Sequence, residues 1–163
     1  MPPDATEAPI AYMARTRAYY RALGYDGDYT WATFPDVPFA RLAKPLRETR
    51  VALITTAGPP DLSNRDSRRR KQVWSCATVT PPETFDTDLA WDKESTHTDD
   101  RETFLPIDAA KRLAAAGLFG GRAAHFVGAP TDYSHRKTLE IDAPEILRRL
   151  RTDGADAALL TAL

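Results

Sequence analysis

The chain has 163 residues and a mass of 18.1 kDa, with 22 basic against 23 acidic side chains and a net charge of −1. That length suits one compact domain, burying roughly 68–70% of its unfolded surface. The balanced charge argues against a general nucleic-acid binder. The single cysteine, Cys76, excludes an internal disulfide framework or a Cys-rich zinc site within the chain.

Met1-Pro2-Pro3-Asp4 lacks the basic and apolar regions of a signal peptide, and no apolar run approaches the roughly 20 residues needed to span a bilayer. The expectation is a cytoplasmic, soluble protein. Residues 7–23 carry Ile10, Met13, Arg17 and Tyr20 at spacings of three and four, which predicts an amphipathic helix ending at Gly24. Aromatics alternating with Asp and Gly over 25–34 predict an ordered loop. Pro35, Pro38 and Pro45 punctuate an extended arm to residue 49. The expected organisation is a helix and arm over 1–49, followed by an α/β domain over 50–163.

Arg50–Gly58 is short, apolar and partly β-branched, as in a strand of a parallel sheet buried on both faces. Weaker strands are expected over 73–79 and near 88–91. Asp108–Ala116 reads as a helix with Asp108 as N-cap and Gly117 past its end. Ala124–Gly128 reads as a short strand. Asp142-Ala143-Pro144-Glu145 reads as the start of a helix reaching about Thr152, with Asp142 as N-cap, and Asp156–Thr161 as a final buried strand. Alternation of strand and helix predicts an α/β fold, a mostly parallel sheet flanked by helices in Rossmann-like three-layer form. A chain that stops on an apolar core strand reads as cut short, because the loop after a parallel strand is where such folds put their chemistry.

Several blocks together resemble the selenoprotein B subunits of glycine, sarcosine and betaine reductases and the related D-proline reductase subunit. They are Asp36-Val37-Pro38-Phe39 through Lys44-Pro45-Leu46, Arg50 to Gly58, Trp91 to Asp100, Phe104 to Asp108, Leu139-Glu140, Asp142 to Leu147, and Asp153 to Leu160. The resemblance runs over almost the whole chain from about Tyr12. It implies an oxidoreductase acting on a small amino acid or related carboxylate. It also implies a selenocysteine, or a cysteine in its place, with a second cysteine, just beyond the strand matching Asp156–Thr161. A UGA codon after residue 163, taken as termination, would remove that redox centre. No cofactor is then expected within this chain. In the related complexes a partner subunit's pyruvoyl group holds the substrate amine while the ionised selenolate attacks the substrate carbon. Such a partner subunit, or a homo-oligomer, is expected, with neither nucleic acid nor membrane as partner.

The densest polar block runs from Asp92 to Asp100. His97, oriented by Asp99 or Asp100, suits acid–base catalysis. One imidazole with carboxylates also suits a metal, and a solvated, turn-capping loop is the plainer reading. Thr55, Thr56 and Gly58 end the first strand, where small residues admit a ligand to the backbone, or merely turn the chain. Tyr133, His135 and Arg136 lie in a polar connector before the last helix; Tyr133 is the substrate-binding candidate among them, and plain exposed connection is the alternative. His125 reads as a core or edge histidine with a satisfied hydrogen bond. The basic run Arg68-Arg69-Arg70-Lys71 reads as a solvated loop, and Cys76 as a buried structural thiol. Two further functional readings stand beside the reductase: a catalytically inactive binding or assembly module, and an isomerase-like enzyme using His97 and Asp99.

Overall fold

The computed structural model describes residues 11–28, 33–38, 40–86, 97–132 and 134–163. The chain divides into two compact units, residues 1–38 and 39–163. In the first, helix α1 (Tyr12–Ala22) stops where Gly24 takes φ +88°, the left-handed conformation that glycine adopts without a Cβ penalty. Tyr20 packs edge-on against Tyr19 and Tyr25, and Arg21 forks onto Asp28 with contacts of 3.0 and 2.8 Å.

The second unit is built on a mixed, mostly parallel five-stranded sheet: β1 (Arg50–Thr55), β2 (Trp74–Ala77), β3 (Gly121–Arg122), β4 (His125–Gly128) and β5 (Ala157–Thr161). β1 is central and parallel to β3, β4 and β5, while β2 lies antiparallel on β4. Ala52, Leu53, Ile54 and Thr55 are all buried, as the unbroken apolar run predicts. β3 and β4 follow the same edge of β1, where residues 123–126 face only 52 and 53. The two surplus residues form a bulge that Thr78 closes. Its backbone N–H donates to the Ala124 carbonyl (2.9 Å), and its hydroxyl lies 3.0 and 3.3 Å from the carbonyls of Ala124 and Ala123.

Alternation along the strands divides the core in two. Leu53 and Phe126 pack with Phe85, Phe104, Leu105 and with Ile107 and Ala110 of α2 (Ile107–Ala115). Ala52, Ile54 and Val127 pack with Val73, Ala123 and with Ile146 and Leu150 of α4 (Ala143–Thr152). The α/β class follows. Among the described residues no helix is long and apolar enough to cross a membrane.

Several local expectations need correction. Asp108 lies inside the first turn of α2 and is not its cap. Glu102, on the 3-10 turn Arg101–Thr103, accepts the N–H groups of Asp108 and Ala109 at 2.9 Å each. A side chain brought from the preceding turn thus does what a local cap was expected to do. Asp142 is also no N-cap: its backbone is helical (φ −72°, ψ −46°) and only 3% of its surface is exposed. Helix begins earlier, where Ser134 Oγ accepts from Lys137 N. It passes through α3 (His135–Lys137) and a π-helical turn (Thr138–Asp142) into α4. Pro144 has no N–H to give to the helix behind it, and the wider π turn relieves its ring from the carbonyl four residues back. The connector of 132–137 is therefore partly helical.

β5 is not buried as expected. Leu159 and Leu160, which as successive strand residues face opposite sides of the sheet, are 49% and 58% exposed, and β5 pairs β1 on one side only among the described residues. Cys76 is half-buried on the edge strand β2, with Sγ donating toward the Thr80 carbonyl at 3.5 Å. Of the basic run, Arg68, Arg69 and Arg70 are exposed, but the Lys71 side chain is only 15% exposed. The strand expected near 88–91 lies outside the described residues.

Candidate functional site

The parallel strands β1, β4 and β5 finish together. Thr55 pairs with Gly128 on one side and Thr161 on the other. In open α/β sheets this carboxyl end is where ligands bind. Thr55 is fully buried, and its Oγ1 accepts from Ala57 N at 3.2 Å, so its hydroxyl belongs to the turn. Thr56 is partly exposed. Its Oγ1 accepts from Leu163 N at 2.9 Å, which leaves the hydroxyl hydrogen to donate. Gly58 exchanges both backbone hydrogen bonds with Asp86, at 2.6 and 3.0 Å, and a Cβ there would lie 3.3 Å from the Asp86 carbonyl oxygen. Its small size therefore serves the close approach of these two segments.

The floor of this strand end is aromatic. Trp74 packs edge-on against Phe126 at 5.3 Å and donates its Nε1 hydrogen to the Ala57 carbonyl at 3.1 Å. The indole lies across Gly128, where any Cβ would overlap it. On the β5 side, Thr161 Oγ1 lies 2.8 Å from the Phe104 carbonyl and 3.3 Å from that of Ile54. This hydroxyl ties the segment after Asp100 to the strand end.

Of the polar block, 92–96 lie outside the described residues, as does Tyr133. His97 and Asp99 are 67% and 88% exposed, with Nδ1 and Oδ2 3.7 Å apart. His97 Nδ1 accepts from Asp99 N at 3.3 Å, which leaves Nε2 toward solvent as the atom able to exchange a proton. Asp100 accepts from Glu102 N at 3.1 Å and caps the 3-10 turn. Among the described residues no group of three or more His, Cys, Asp or Glu is placed to hold a metal ion.

A charged cluster that the sequence does not announce stands beyond the end of β4. Lys137 Nζ donates to Asp132 (2.5 Å) and to the Lys71 carbonyl (2.9 Å), and lies 3.4 Å from Asp142. Lys71 Nζ donates to the Thr131 carbonyl at 2.8 Å and faces Asp132 at 3.9 Å. Buried ions persist only when paired and hydrogen-bonded in this way. The cluster braces the loop after β4 against the segment entering β2. The sequence hints only at the Asp142 contact: it lies five residues after Lys137, a spacing that a π turn, unlike an α turn, brings to one side, whereas Asp132 comes from the loop before the helix.

No family model matches the chain, and neither a curated protein nor a solved structure matches it.

Proposed function

We propose that this chain is the α/β portion of a cytoplasmic reductase of the selenoprotein B type, with Rossmann-like layering, acting on a small amino acid or related carboxylate. The redox centre of this reading is a selenocysteine, or a cysteine pair, encoded beyond residue 163. The observation that carries it is the position of Leu163. Its N–H bonds to Thr56, and its side chain packs against the Leu53, Ala57 and Phe104 cluster. The redox group of this reading belongs at the carboxyl end of the sheet, where parallel strands put their chemistry. A selenolate there is ionised at neutral pH and strongly nucleophilic. Such a group would supply a nucleophile for the substrate carbon, with the electron pair of the broken carbon–nitrogen bond leaving on a nitrogen that a partner subunit would hold. Thr56, whose hydroxyl hydrogen is available, is the substrate-carboxylate donor of this reading, with Tyr133 as second candidate.

The test is to read codon 164 and the frame beyond it in the native gene, and to label the expressed product with radioactive selenium. UGA followed by an open frame with a nearby cysteine codon, and a selenium-labelled product, is the expected result. UAA or UAG, or a frame without cysteine, overturns it. A second reading, a catalytically inactive binding or assembly module, is favoured by the exposed apolar β5. It predicts no turnover with any thiol donor and a complex with another chain in its place.

A further inference from the structure

A shallow cleft of about 180 Å³ opens on the α4 side of the sheet, lined among others by Ser75, His125, Val127, Arg148, Arg149 and Asp153. The cleft belongs to a different region from the strand ends, since His125 is the first residue of β4 and Asp153 follows the last turn of α4.

Each polar side chain here is oriented by another. Asp153 accepts the backbone N–H of His125 at 2.8 Å and faces Nδ1 at 3.0 and 3.1 Å, so Nδ1 carries a proton. Glu145 accepts two N–H groups of Arg148 and the Nε–H of Arg149, each at 2.7 Å. These guanidinium hydrogen bonds, outweighing slight burial, hold the Glu145 carboxyl down at about 2, so it stays ionised. Arg149 also donates through one Nη to Ser75 Oγ at 2.9 Å, leaving the serine hydrogen free to point elsewhere.

The consequence is a donor surplus. Asp153 in the cleft and Glu145 behind it direct their oxygens at His125 and at Arg148 and Arg149. Among the described residues the second Nη of Arg149 and the Ser75 hydroxyl hydrogen have no protein partner. A cation or a neutral polyol would find few acceptors here, whereas an oxyanion finds a guanidinium from α4 and a hydroxyl from β2. We propose that this cleft is a binding site for a small oxyanion, a carboxylate or a phosphate, held by Arg149 and Ser75 beside His125.

The experiment is a titration of the full chain with inorganic phosphate and, separately, with acetate. Ionic strength is held constant with sodium chloride, and the His125 ring protons are followed by NMR. A saturable shift with one or both anions is expected. Phosphate alone points to a phosphoryl ligand, acetate alone to a carboxylate, and both to a general oxyanion site. Arg149→Gln is expected to weaken binding at least about tenfold, because it removes the charged member of a charge-assisted pair. Ser75→Ala, which deletes one exposed hydroxyl, gives a several-fold loss and serves if the arginine variant does not fold. Arg112→Gln, on exposed α2 surface, leaves binding unchanged. A linear, non-saturating response, or saturation identical in the Ser75 variant and the unaltered chain, overturns the proposal.

Discussion

Glu102 makes a sharp test of how α2 is held. Its carboxylate takes two of the N–H groups that open the helix, at 2.9 Å each, and a third contact from Arg101 at 3.3 Å. Replacing a capping side chain by Ala costs about 1 kcal/mol, within a range of roughly 0.5–2. Losing a negative charge at a helix N-terminus adds roughly 0.3–1 kcal/mol. Glu102→Ala should therefore lower stability by about 1.3–2 kcal/mol, a fall in Tm of roughly 3–8 °C for a chain of this size. Asp108, the residue the local pattern nominates as cap, meets only Arg101 at 2.7 Å and is 55% exposed. Asp108→Ala should cost below about 1 kcal/mol, as exposed ion pairs do. Urea unfolding of both variants at neutral pH checks this, and equal losses refute the reasoning. The pH dependence has a definite sign. Partial burial pushes the Glu102 carboxyl up, but the Asp108 and Ala109 N–H groups and Arg101 outweigh it, so its folded pKa lies below the ordinary 4.5. The stability it adds is complete above about 4.5 and is lost as pH falls through the lower folded value. The gap between the unaltered chain and Glu102→Ala should close over that acidic window and nowhere else.

Gly128→Ala drives a methyl into the Trp74 indole. It should cost about 1–3 kcal/mol of overpacking, with part recovered in a Trp74→Leu background; no coupling between the two in a double-mutant cycle refutes the contact. Asp142→Ala leaves Lys137 with Asp132 and the Lys71 carbonyl. Denaturant unfolding should show a loss of about 1.5–3 kcal/mol, the range for a hydrogen bond to a charged group. A change within experimental error would mean that Asp132 alone satisfies the lysine.

How much was legible can be seen from particular segments. The run from Arg50 to Thr55 declares a doubly buried strand because every residue from Ala52 to Thr55 must leave water, and only a central position removes both faces. Gly24, Gly117 and Gly154 mark helix ends correctly, each at positive φ, because that conformation selects glycine locally. Asp108 and Asp142 misled for the same reason in reverse. Capping patterns score a side chain against its own backbone, and a carboxylate from another turn or a lysine five residues away can claim the position. The strand-end candidates Thr55, Thr56 and Gly58 were legible as a place, but each residue's hydrogen-bonding partner was not.

Composition, periodicity and turn residues, all set by short-range sterics and the need to bury apolar surface, by themselves determined the α/β class, β1, and the approximate spans of α1, α2 and α4. The tertiary structure alone decided the antiparallel seat of β2, the bulge that joins β3 to β4, and the pairing of the partly buried Lys71 and Lys137 with Asp132 and the buried Asp142. It alone also brought Ser75, His125, Arg149 and Asp153 to one cleft. Those arrangements join residues far apart in the chain, and no local pattern encodes which distant partner satisfies a given donor or charge.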